Sequence, residues 1–140
     1  MLIAVLNQKG GVGKSTTAVH LARWLQLQGL AVHLADLDPQ QTSSVWLQAA
    51  EGFVIPCRAI PADADSVLEQ LPPLLEGGRV VVVDGPAGLS DATRAVMLLA
   101  DLVLTPVQRP GLICDRLWMF CGWWPRPAGF AGGRLMRPCS

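Results

Sequence analysis

The 140-residue chain is short of several things, and each shortage removes a class of function. Its longest apolar stretch, Ala95–Val107, is interrupted by Asp101, so no run reaches the ~18–20 apolar residues of a membrane span. The N-terminus carries no basic region before its first apolar residues, so a secretory signal peptide is not expected. Four cysteines (Cys57, Cys114, Cys121, Cys139) form no CxxC pair and no ligand-like spacing with histidine, so free thiols are expected rather than a disulfide framework or a zinc site. The two histidines, His20 and His33, stand alone and are expected to pack or face solvent. There is no internal repeat and no heptad.

Net charge is also missing: eleven basic side chains balance eleven acidic ones. The balance hides an asymmetry. Residues 1–108 hold six basic and ten acidic side chains, net −4, and residues 109–140 hold five arginines and one aspartate, net +4. The first part therefore lacks the basic excess on which nucleic-acid binding normally rests.

What is present is apolar. Hydrophobic residues make up 51% of the chain and its mean hydropathy is +0.36, as suits a sheet covered by helices on both faces. A single domain of this size buries roughly 65–70% of its unfolded surface. Leu2–Leu6 reads as a strand. From Ser15 to Gln28, Ala18, Leu21, Ala22 and Leu25 recur at helical spacing, with Gly29 at the expected C-terminal stop. Ala31–Ala35 reads as a second strand and Thr42–Ala50 as a short helix with Val45, Trp46 and Ala49 on its apolar side. Phe53–Ile55 is expected as a third strand. Asp63, Asp65 and Ser66 offer N-caps for a helix to Leu75 that Pro72-Pro73 should end or kink. Val80–Val83 is a β-branched strand, Ser90 caps a helix over Asp91–Ala100, and Leu102–Thr105 is a further strand. Alternating strands and helices predict an α/β fold with a mostly parallel, doubly wound sheet; the Gly-Val-Gly-Lys-Ser loop at residues 11–15, between the first strand and the first helix, makes the expected type that of the P-loop NTPases.

The chemistry gathers where these strands end. Lys9-Gly10-Gly11-Val12-Gly13-Lys14-Ser15-Thr16 directly follows the first strand and opens the first helix. Glycines let successive N–H groups turn inward, and the helix N-terminus adds unpaired N–H groups and partial positive charge, which together make a phosphate cradle. In such a loop Lys14 reaches the β- and γ-phosphates of a nucleotide and the Ser15 hydroxyl ligates Mg²⁺. Asp84 follows Val80–Val83 as an acidic group poised to hold Mg²⁺ or its water, in the layout of a Walker B box. Asp36 and Asp38 end the second strand, where ligands bind in open α/β sheets.

These motifs resemble the deviant Walker A box of the ParA/MinD family of ATPases, in which a lysine, here Lys9, precedes a glycine pair. Asp36-Leu37-Asp38-Pro39-Gln40 resembles that family's switch I, DxDPQ, and Asp84-Gly85-Pro86-Ala87-Gly88 its switch II, with Ala87 in place of a proline. The stretch Val83–Val107 looks most like the small plasmid-type ParA proteins, which begin at the first strand as this chain does. The resemblance implies ATP and Mg²⁺ as cofactors, residues 9–16 as the nucleotide site, and Ser15, Asp36 and Asp84 as the metal-holding set. It implies Lys9, Lys14 and Asp38 as catalytic residues, Lys9 reaching the partner subunit's nucleotide and Asp38 assisting hydrolysis near the attacking water. It further implies an ATP-dependent homodimer, a ParB-type centromere-binding partner, non-specific DNA, no membrane, and a cytoplasmic place in plasmid or chromosome partitioning. Two relatives with similar loops fit less well: the nitrogenase iron protein needs cluster-ligand cysteines, and the DxDPQ string argues against dethiobiotin synthetase.

The resemblance is legible over residues 1–108. Residues 109–140 hold three of the five tryptophans, three of the four cysteines, four prolines and five glycines without periodicity. That composition is what a GC-rich gene gives when read out of frame. The expectation is a frameshift or truncation near Gln108 and an irregular tail, with Leu102–Thr105 left as an open sheet edge. The alternative function is then a P-loop remnant that binds nucleotide weakly or not at all and does not switch.

Overall fold

A computed structural model describes residues 1–107. Five strands, β1 (Leu2–Asn7), β2 (Val32–Asp36), β3 (Cys57–Ala59), β4 (Val80–Ala87) and β5 (Leu102–Leu104), alternate with four helices, α1 (Lys14–Leu27), α2 (Thr42–Ala49), α3 (Ala64–Leu74) and α4 (Asp91–Leu99). The strands form one sheet in the order β3-β2-β4-β1-β5, and every neighbouring pair is parallel. The doubly wound α/β expectation holds.

Alternation along the strands explains the layering. Ile3, Val5, Val32, Leu34, Val80 and Val82 share one face and pack with Ala18, Val19, Ala22 and Leu25 of α1 and Leu47 of α2. Leu2, Ala4, Leu6, Ala35, Val81 and Val83 share the other and pack with Val67 and Leu71 of α3 and Ala92, Ala95 and Val96 of α4. Because both faces are covered, the central strands read as unbroken apolar runs. The helix starts follow the caps: Asp63 Oδ1 accepts from the Ser66 amide at 2.8 Å, and Ser90 Oγ accepts from the Thr93 amide at 3.2 Å.

Three expectations are corrected. The third strand is Cys57–Ala59, not Phe53–Ile55, because the earlier residues are spent on α1: the Arg23 guanidinium lies 4.4 Å from the Phe53 ring centre and Gln26 Nε2 donates to the Val54 carbonyl at 2.6 Å. Pairing with β2 begins with Leu34 against Cys57. Pro72-Pro73 does not cut α3 short, since both prolines fall in its last turn, where their carbonyls accept from the Leu75 and Glu76 amides at 3.0 and 3.3 Å. Lastly, α2 is turned the other way. Val45 and Trp46 are exposed, as is Ala49, whereas Ser43, Ser44 and Leu47 are buried. The reason lies in the site.

β5 pairs with β1 on one side and, among the described residues, meets no strand on the other. The irregular tail expected over 109–140 and the thiols of Cys114, Cys121 and Cys139 lie outside the described residues; Cys57 is a free thiol. No helix among the described residues is long and apolar enough to cross a membrane.

Candidate functional site

The carboxyl ends of β1, β2 and β4 meet at one rim of the sheet. Asp36 and Asp84 are register partners on the adjacent strands β2 and β4, so their side chains stand side by side on the α1–α2 face. Neighbouring strands lie about 4.8 Å apart, which brings two carboxylates together in the interior. Asp36 is 1% exposed and Asp84 is fully buried.

Two like charges so close need donors, and the first turn of α2 supplies them. Ser44 donates to Asp36 Oδ2 through both its amide and its hydroxyl, each at 2.8 Å, and the Asp38 amide donates to Asp36 Oδ1 at 3.1 Å. Ser43 Oγ donates to Asp84 Oδ2 at 2.6 Å. This is why α2 hides its serines and shows Val45 and Trp46 to solvent. Asp84 Oδ1 is buried and, among the described residues, has no hydrogen-bond partner. Burial pushes the Asp84 carboxyl above the ordinary carboxylate range; the hydroxyls of Ser43 and Ser15 oppose that shift, and the neighbouring Asp36 and Asp38 carboxylates add to it.

The glycine-rich turn ends at Gly13, whose φ of +88° forms the N-cap of α1 without a side-chain hydrogen bond, a conformation that β-carbons resist. The loop is tied to its neighbours: the Lys9 amide donates to Asn7 Oδ1 at 2.8 Å, Asn7 Nδ2 donates to the Pro106 carbonyl at 2.6 Å, and the Gly88 amide donates to the Gln8 carbonyl at 3.1 Å. The loop after β4 and the segment after β5 therefore brace the turn. Lys9 is exposed. Lys14, the first residue of α1, is 6% exposed and forms no ion pair among the described residues. An ammonium without an ion-pair partner at a helix N-terminus is unfavourable both by desolvation and by the helix dipole, and an anion placed here would relieve both.

Asp38 is half-buried; its Oδ1 accepts from the Gln40 amide at 2.9 Å, its carbonyl accepts from the Gln41 amide at 2.8 Å, and the turn feeds α2 through Gln41 at φ +50°. Beyond it, a cleft of about 360 Å³ runs between Asp36–Pro39 with Gln41 and the segment Ala59–Ala62. Gly85 lies in a bulge where β4 gains a residue against β1; a β-carbon there would overlap Leu6 Cδ2 and come within 3.2 Å of the Val5 carbonyl oxygen. The two histidines stay outside the site, His20 bonded to the Thr16 carbonyl and His33 on β2.

The expected residues thus fall at one rim, Lys14, Asp36 and Asp84 buried, Ser15 and Asp38 half-buried and Lys9 exposed. Sequence reading missed Ser43 and Ser44. The available signal was their place in the first helical turn after Asp-Pro, where serine is more often a donor than a filler.

The sequence profile of the CobQ/CobB/MinD/ParA nucleotide-binding domain matches residues 3–117. The chain belongs to this family. The match runs somewhat beyond Gln108, where the resemblance ceased to be legible by eye. Similar members are the chromosome-partitioning ATPase Soj of Thermus thermophilus, 38% identical over 76% of this chain and 54% of that protein, and a carboxysome-distribution maintenance protein A of Gloeobacter kilaueensis, 42% identical over 75% and 48%. The chain spans about half the length of the curated relatives it matches. Among solved structures, cobyrinic acid a,c-diamide synthase from Mycobacterium smegmatis, determined with an ATP analogue and magnesium, superposes with a TM-score of 0.61 at 27% identity over 81% of this chain and 62% of that one. The likeness to apo McdA of Cyanothece, TM-score 0.59 at 22% identity over 75% and 57%, concerns the fold.

Proposed function

We propose that this P-loop domain binds ATP with Mg²⁺ and belongs to a ParA-type partition ATPase, in which nucleotide turnover switches a sandwich dimer. The observation that carries the reading is Lys14, buried at the head of α1 with no ion pair among the described residues, one residue before Ser15 and at the same rim as the buried Asp84.

The amides of Gly10–Thr16 and the Lys14 ammonium would hold the phosphates. The donor set also fits magnesium: Ser15 supplies a hydroxyl and Asp84 an unpaired carboxylate oxygen, while among the described residues no three His, Cys, Asp or Glu side chains converge as a protein cage for a metal. Mg²⁺ is held by one or two protein oxygens plus phosphates and water, and when bound it neutralises charge on the β- and γ-oxygens. Asp36, whose oxygens already accept three hydrogen bonds, would act through water or by fixing the switch I turn. Asp38, half-exposed at that turn, would orient the attacking water. Lys9 points its charge at no acidic group within ion-pair distance among the described residues and is left for a nucleotide in a second copy. Homodimerisation, a ParB-type partner and a cytoplasmic setting belong to this proposal.

Titration with a fluorescent ATP analogue tests it. Lys14→Ala should lower Mg-ATP affinity by at least ~100-fold, as expected when two charge-assisted hydrogen bonds of about 1.5–3 kcal/mol each are lost. Equal affinities would refute the assignment.

A further inference from the structure

We infer that Ser43 is a positioning residue for the metal site, holding the Asp84 carboxylate so that Oδ1 stays directed to Mg²⁺. The inference rests on the reading of Asp84 as a magnesium-holding group. Three observations carry it. Ser43 is fully buried, and its hydroxyl donates to Asp84 Oδ2 at 2.6 Å, within the range of a strong hydroxyl–carboxylate bond. That bond uses one oxygen and leaves the other, Oδ1, as a buried acceptor with no hydrogen-bond partner among the described residues. The donor is itself fixed: α2 is anchored one residue later, where Ser44 binds Asp36 through amide and hydroxyl, and Asp36 is the register partner of Asp84.

A carboxylate has one torsion that decides which oxygen faces a ligand. With Oδ2 tethered to a helix that is tethered to the next strand, this torsion is set before any ligand arrives. Losing an outer group of this kind typically costs about 10–100-fold in metal affinity. The turn after Asp38 runs directly into α2, with the Gln41 amide donating to the Asp38 carbonyl at 2.8 Å, so the Ser43–Asp84 bond joins the magnesium position to switch I.

The test compares wild type, Ser43→Ala and Ser43→Thr by binding of a fluorescent ATP analogue, first in EDTA and then along a Mg²⁺ titration. Ser43→Ala removes one oxygen and little volume. Its affinity in EDTA should equal wild type, and the Mg²⁺ concentration at half-effect should rise ~10–100-fold. Ser43→Thr, which retains the hydroxyl, should return the midpoint towards wild type. A Ser43→Ala midpoint equal to wild type would overturn the inference, as would an equal fall in EDTA and in Mg²⁺, which marks a purely structural role. Absence of nucleotide binding by wild type would instead overturn the reading of the whole site, and this inference with it.

Discussion

Replacing Asp84 with asparagine should make the ligand-free protein more stable at neutral pH while damaging the site. Asp84 is fully buried, receives one strong bond from Ser43, leaves Oδ1 without a partner, and stands beside the carboxylate of Asp36. A buried polar atom left unpaired costs about 1–3 kcal/mol, and a charge more than an amide. In Asp84→Asn the amide oxygen can still accept from Ser43, while the negative charge and its repulsion with Asp36 vanish. A net gain of about 1 kcal/mol, or roughly 2–4 °C in Tm for a domain of this size, is expected at pH 7.5. The pH dependence has a definite sign. Because the folded-state pKa of Asp84 is raised, folded protein holds this proton more tightly than unfolded protein, and stability is lost as pH rises from the ordinary value of 3.8 through the raised one. The advantage of Asp84→Asn should therefore shrink as pH falls and disappear below about 4, where both states of the wild type carry the proton. With saturating Mg-ATP the order should reverse, since ligand stabilises only the chain that binds it. Thermal melting of both proteins at pH 7.5 and pH 4, with and without Mg-ATP, measures all of this. An Asp84→Asn protein less stable than wild type at pH 7.5 without ligand would refute the argument, because it would mean the charge is already compensated.

Lys9→Ala should leave ATP binding within a few-fold of wild type and remove ATP-dependent dimerisation and turnover, read by light scattering and phosphate release, whereas Asp38→Ala should bind ATP and fail to hydrolyse it. Persistent dimerisation of Lys9→Ala would contradict the cross-subunit role. Gly85→Ala should destabilise the fold by about 1–3 kcal/mol, because the new β-carbon meets Leu6 and the Val5 carbonyl inside the bulge; a denaturant midpoint equal to wild type would contradict it. ATP-stimulated DNA binding should be absent in a gel-shift assay, since residues 1–108 are net −4; tight, ATP-dependent retardation of plasmid DNA would show that residues 109–140, net +4, form a working surface.

Much of the fold was legible because its signals are local and mutually consistent. Leu2–Leu6 and Val80–Val83 are apolar on both faces, as central parallel strands must be, and Asp63 and Ser90 announce their helices. The loop from Lys9 to Thr16 and the aspartates at strand ends located the site for the same reason: their spacing is read along the chain. What escaped depends on contacts across the chain. Phe53-Val54-Ile55 has strand composition, yet the partners of Phe53 and Val54 are Arg23 and Gln26 on α1. Val45 and Trp46 have the composition of a core face, but burying two adjacent carboxylates required serines there instead. A hydrophobic pattern ranks apolar burial first; here the need of Asp36 and Asp84 for donors outweighed it, because an unpaired buried charge costs more than two exposed apolar side chains gain.

The central claim is that the rim formed by β1, β2, β4 and α1 is a Mg-ATP site. The most direct measurement is a crystal structure of the chain with a non-hydrolysable ATP analogue and Mg²⁺. Phosphates are expected within hydrogen-bond distance of the Gly10–Thr16 amides and of Lys14 Nζ. The metal should be ligated by Ser15 Oγ, with Asp84 Oδ1 bound to it directly or through one water, and Ser43 still donating to Oδ2. A nucleotide bound elsewhere, or crystals grown at saturating analogue with Lys14 and Asp84 contacting nothing but protein, would contradict it.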